Sequence, residues 1–117
     1  MTIKNPKRGE IWSIDFDPTI GVEIKKIRPG VIISSNAAGK LPIKLTVPIT
    51  NWKSYFAGNF WHIKVKPNKN NNLSKVSAID TLQTRGVDIK RFIRKIGELS
   101  EEKIQEITLA IATLIEY

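Results

Sequence analysis

Between Glu23 and Asp80 the chain has no acidic residue. That stretch, nearly half of the chain, holds Lys25, Lys26, Arg28, Lys40, Lys44, Lys53, Lys64, Lys66, Lys69 and Lys75 with no local counter-charge. Such a surface steers polyanions by long-range attraction, and nucleic acid is the obvious one; ordinary solubilising charge is the alternative. Cysteine is missing too, which excludes disulfides, thiolate metal sites and a thiol nucleophile and points to the cytosol. With one histidine, His62, and scattered carboxylates, a metal site of the usual kinds is not expected. Met1 to Arg8 lacks an apolar targeting stretch, and no apolar run reaches membrane length. The expectation is a cytoplasmic protein with no membrane partner.

What is present is globular: 41% hydrophobic residues, rich in Ile and Val, with a net charge of +8. The length fits one domain over residues 1–117. Glu10 to Phe16 alternates as a half-buried strand does. Asp17-Pro18-Thr19 breaks it, and a loop runs on to Arg28-Pro29, where Pro29 favours an extended Arg28. Val31 to Ser35 reads as a buried strand, Asn36 to Gly39 as a small-residue turn, and Ile43 to Ile49 as another strand. Pro48 implies a strand edge or terminus there. Phe60 to Lys66, Val76 to Leu82 and Arg94 to Leu99 complete the strands. Pro67 to Asn72 reads as a polar loop without packing. Asp88 is placed to cap a short basic helix through Phe92. Ser100 is a natural N-cap, followed by Glu101 and Glu102, with Leu99 and Ile104 as a hydrophobic staple. Ile104, Ile107, Ile111, Leu114 and Ile115 form an apolar stripe. Many short strands and then one helix predict a mainly β fold: a small, bent antiparallel barrel with a C-terminal helix.

Several chemistries find no support. Ser-His-Asp catalysis would need His62, which stands in a strand beside Trp61 and reads as structural. No spacing suggests paired carboxylates, and there is no Gly-rich phosphate loop. Cleavage of RNA by its own 2′-OH remains. It needs cations and hydroxyls to orient the phosphate and stabilise its added charge. Within the acid-free stretch, Arg28 offers a guanidinium fork that suits phosphate, and Thr50 offers a hydroxyl. Trp52, Lys53, Tyr55 and Phe56 set aromatic rings beside a cation, suited either to stacking unpaired bases or to packing at a dimer interface.

An ordered set of fragments resembles the MazF/PemK/Kid toxin family: Arg8-Gly9-Glu10-Ile11-Trp12, Asp15 to Thr19, Gly21, Glu23, Arg28-Pro29 before Val31-Ile32-Ile33-Ser34, and Val47-Pro48-Ile49-Thr50. Gln83-Thr84-Arg85 with Asp88 and Arg91, and Ile96-Gly97-Glu98-Leu99, continue it, so that it covers almost the whole chain. The resemblance implies an SH3-like barrel and a homodimer. It also implies a sequence-specific endoribonuclease on single-stranded mRNA, a toxin of a toxin–antitoxin system that arrests growth. The reaction would need no metal or other cofactor and would leave a 2′,3′-cyclic phosphate, or its 3′-phosphate, and a 5′-hydroxyl. Arg28 and Thr50 take the places of the family's catalytic pair. The implied partner is a cognate antitoxin whose acidic C-terminal segment occupies the RNA groove, the complex binding DNA. Glu23, Lys25, Lys26, Trp52, Lys53 and Arg85 are the candidate RNA-binding residues. For Glu23 the alternative is a solvated carboxylate, and for Arg85 an ion pair with Asp88 or Glu98.

The chain also departs from the family. Ile24 stands for a usual Gln and Lys26 for a usual Gly, which predicts a stiffer, more cationic loop. Leu82 and Asp80 replace an Asp and an Arg, so a Kid-type Asp/Arg mechanism is not supported. Two readings from other classes stand beside the ribonuclease: a non-catalytic SH3-like module for nucleic acid or protein, and a same-fold toxin that poisons DNA gyrase.

Overall fold

The computed structural model describes residues 4–38 and 41–117. Gly39 of the expected turn and Lys40 of the acid-free stretch lie outside the described residues. The strands are β1 (Glu10–Asp15), β2 (Ile27–Ile32), β3 (Ile43–Asn51), β4 (His62–Val65), β5 (Ser77–Asp80), β6 (Arg85–Asp88) and β7 (Phe92–Glu98), followed by the helix α1 (Glu101–Leu114). All pairings are antiparallel, in the order β4-β5-β3-β2-β1-β7, with β6 also on β3. Among the described residues no ladder joins β6 to β7, so the bent barrel is not closed by hydrogen bonds. Two register shifts between β1 and β7 add to its curvature.

Strand β3 differs from expectation. Pro48 neither ends it nor lies on an edge: Gly30 pairs with it from β2. On its other side β3 passes from β6, which takes residues 43–46, to β5, which takes 49–51. Pro48 falls in the gap between those two partners, where a missing N–H costs no ladder bond. Pro29 is placed by a similar logic, because β3 joins β2 only from Gly30 on. Strand β2 therefore starts at Ile27, earlier than the predicted Val31, and Arg28 lies within it.

Two buried clusters hold the sheet. One joins Ile11, Val31, Val47, Ile49, Val65 and Ile79 to Ile104 and Ile107 of α1. The other gathers Ile14, Phe16, Ile32, Val87 and Phe92. Ile11 and Ile14 enter different clusters, so β1 is buried on both faces rather than one. The Ser100 hydroxyl caps α1 by accepting from the Lys103 N–H at 3.2 Å, and Asp88 accepts from the Lys90 N–H over the short 3₁₀ turn Ile89–Arg91. Ile115 lies past the end of the helix and is 68% exposed, so the apolar stripe stops short of it.

The Pro67 to Asn72 loop is packed, contrary to its polar sequence. The buried Asn71 side chain accepts from the N–H groups of Asn68 and Leu73 and donates to the Lys66 carbonyl. Asn72 donates from Nδ2 to the Ile96 carbonyl, and the Glu98 N–H bonds the Asn70 carbonyl. Gly97 admits this approach: a Cβ there would lie 2.5 Å from the Asn71 carbonyl oxygen. The side chains of Asn68, Asn71 and Asn72 thus serve as internal hydrogen-bonding groups for a turn that no periodicity reveals.

Candidate active site

Arg8-Gly9-Glu10-Ile11-Trp12 is a structural latch. The Arg8 guanidinium bonds the Ile33 carbonyl at 2.6 Å. Gly9 adopts a φ of 90° and exchanges backbone bonds with Ile32 and Leu99. Burial would raise the Glu10 pKa, but hydrogen bonds from the Trp12 indole, the Lys7 N–H and Lys95 outweigh it and hold the carboxyl below its ordinary value. Lys95, bonded to Glu98 and Glu10, is shifted upward.

Arg28 and Thr50 share a cavity. Both line one cavity of about 430 Å³, between β2, the end of β3 and the segment from Asn72 to Lys75. Pro29, Asn51, Lys75, Ser77, Arg94 and Ile96 complete much of the wall, and none of its lining residues is acidic. Of five arginines, Arg8, Arg85 and Arg91 donate to backbone carbonyls of Ile33, Phe16 and Asp15. Arg91 also donates to the Asp17 carbonyl. Among the described residues the side chains of Arg28, Arg94 and Thr50 make no hydrogen bond or ion pair. Two unpaired guanidinium groups and a free hydroxyl thus face a carboxylate-free cavity, which favours an anion with several acceptor oxygens.

The other sequence candidates lie apart from this cavity. Glu23 and Arg85 line a neighbouring one of about 220 Å³ with Phe16, Ile24, Pro48 and Gln83. Glu23 accepts from the Ile20 N–H in its own loop at 2.6 Å. Arg85 forms no ion pair with Asp88 or Glu98. It donates to the Phe16 carbonyl and lies over that ring at 5.8 Å, because its strand position faces β1's end. Lys25 and Lys26 are exposed in the loop before β2. Lys26 has a φ of 67°, the left-handed region that explains why Gly suits this position. Its N–H bonds Asp17, and the Ile24 N–H bonds Gln83 Oε1 at 2.6 Å, which pins the loop. Trp52 meets Phe56 edge-on and carries Lys64 at 5.1 Å from its ring centroid, while Lys53 is exposed.

His62 stacks on Phe56 at 3.9 Å and stands 3.6 Å from Asp80, in a structural role. Asp80 is buried and holds the Leu82 N–H and the Gln83 amide. Sequence reasoning missed Lys75 and Arg94 as neighbours of Arg28. Lys75 belongs to the acid-free stretch, but Arg94 lies in a mixed-charge segment where no spacing marks it. Among the described residues no cluster of His, Asp or Glu is placed to hold a metal ion, and no helix is long and apolar enough to cross a membrane.

The family described as PemK-like, MazF-like toxin of type II toxin-antitoxin system matches residues 7–115. Endoribonuclease MazF of Staphylococcus saprophyticus is 30% identical over 105 residues, 90% of this chain and 87% of the relative. MazF from Deinococcus radiodurans shares the fold with a TM-score of 0.80 at 19% identity, covering 96% of this chain and 97% of that one. A mycobacterial endoribonuclease in complex with its cognate antitoxin gives 0.75 at 16% identity, covering 96% of both chains.

Proposed function

Because the chain belongs to the PemK-like, MazF-like toxin family of type II toxin–antitoxin systems, we propose that it is a sequence-specific endoribonuclease that cuts single-stranded mRNA in the cytoplasm. The observation that carries this reading is the pairing of Arg28 and Thr50, both without protein partners, in one carboxylate-free cavity. The RNA 2′-oxygen attacks the adjacent phosphorus and the bond to the 5′-oxygen breaks. This leaves a 2′,3′-cyclic phosphate, or its 3′-phosphate after hydrolysis, and a 5′-hydroxyl. One proton leaves the 2′-OH and one reaches the departing 5′-oxygen. Arg28 neutralises the charge that builds on the phosphate oxygens, and Thr50 donates a hydrogen bond to the same group. No step calls for a metal ion. A guanidinium offers donors and no acceptor, so Arg28 is assigned to charge stabilisation.

The family relationship supports two further parts of the reading: a homodimer, and a cognate antitoxin whose acidic segment lies along the cationic stretch and competes with RNA. The test is cleavage of a long RNA in EDTA by the wild type, Arg28→Ala and Thr50→Ala. Metal-free cleavage that both substitutions reduce supports the assignment. Cleavage at the wild-type rate in both variants rejects it. Salt-dependent RNA binding without cleavage would mark a binding module, and toxicity with intact cellular RNA would mark a protein target such as DNA gyrase.

A further inference from the structure

We infer that Arg94 binds a second phosphate of the same RNA strand, next to the one held by Arg28 and Thr50. The inference rests on the proposed ribonuclease reading and extends it to a substrate subsite.

Three observations carry it. Arg94 lines the cavity that contains Arg28 and Thr50. It is one of only two arginines whose side chains make no hydrogen bond or ion pair among the described residues, and the other is Arg28. Its neighbour Lys95, in contrast, is held by Glu10 and Glu98. The register then fixes the separation. Ser13 of β1 stands opposite Pro29 on one side and Arg94 on the other, so Arg94 and Pro29 are two strand spacings apart, about 10 Å. That is a backbone spacing, which two side chains as long as arginine can either bridge or keep. It suits two successive anionic groups of one strand. Two unpaired cations facing one cavity repel each other, and a polyanion removes that repulsion. Lys75, also on the wall, adds a third charge.

The experiment uses the full chain and an RNA oligonucleotide spanning a mapped cut site, with 2′-deoxyribose at the cut nucleotide so that it binds uncut. Arg94→Ala should weaken binding about tenfold, the cost of one charge-assisted contact. The slope of log affinity against log salt should become shallower by about 0.7, the value for one single-strand phosphate. Arg94→Lys should restore most of the slope. Replacing the flanking phosphate by an uncharged methylphosphonate should weaken the wild type and leave Arg94→Ala little changed. On cleavable RNA, KM should rise more than kcat falls. An unchanged salt slope in Arg94→Ala, with wild-type cutting intact, overturns this inference alone. A wild type that neither binds nor cuts RNA overturns the ribonuclease reading with it.

Discussion

Arg28 and Arg94 stand on strands that are not bonded to each other, yet they line one cavity, because β1 lies between β2 and β7 and pairs with both. The cavity is therefore a product of four strands, β2, β3, β5 and β7, and the segment from Asn72 to Lys75.

If Arg28 stabilises the developing charge, Arg28→Ala should lower kcat about 10²- to 10³-fold, the usual cost of one transition-state donor. Thermal stability should barely change, since Arg28 is exposed and bonds nothing in the protein. Thr50→Ala should act in the same direction, and Thr50→Ser should recover much of the rate. Single-turnover cleavage with parallel melting curves checks both.

Gly97→Ala should unseat the Asn68–Asn72 turn, because its Cβ would meet backbone atoms of Asn70 and Asn71 at 2.5–2.6 Å. The expected loss is about 1–3 kcal/mol, as for other overpacked positions, read by denaturant unfolding. RNA cleavage should fall as well, since the next residues, Asn72 to Lys75, wall the cavity.

Lys26→Gly separates strain from charge. It relieves a left-handed φ of 67°, so stability should hold or rise by up to about 1 kcal/mol. Affinity for RNA should nevertheless drop if the lysine meets the strand. Melting and binding assays on one preparation would show the opposite signs.

Acid should weaken the fold partly through Glu10. Its folded pKa is depressed by the bonds from Trp12, Lys7 and Lys95. The stability it contributes is present above the unfolded value of about 4.3 and is lost as pH falls through the folded value. Lys95 acts at the other end: its raised pKa gives stability that is lost as pH rises past its folded value. Glu10→Ala should cost about 1–3 kcal/mol at neutral pH, because the Trp12 indole loses its partner. It should also flatten the acid limb of a stability–pH profile.

The helix, its Ser100 cap, the Asp88 cap and most strands were legible because each follows from local pattern. β6 escaped notice: Arg85-Gly86-Val87-Asp88 is too short to show a period, and its strand character comes from pairing with Ile43–Thr46. Pro48 misled because proline in mid-strand normally means an edge, and the change of partner on β3 is a property of the whole sheet. The loop 67–72 misled because asparagine reads as solvated, although Asn71 is buried. At the candidate site, the family resemblance named Arg28 and Thr50, which line one cavity. Arg94 became visible only through strand register, which joins residues far apart in sequence.

The pairing of β7 with β1 has a temporal side. β7 spans Phe92–Glu98, well after Arg28 and Thr50 in the chain, and its docking brings Arg94 to the cavity and supplies the Ile96 and Glu98 anchors of the Asn turn. A ribosome that has made Arg28 and Thr50 has not yet released these parts. The cavity thus lacks one wall during synthesis until β7 emerges, well after Arg28 and Thr50.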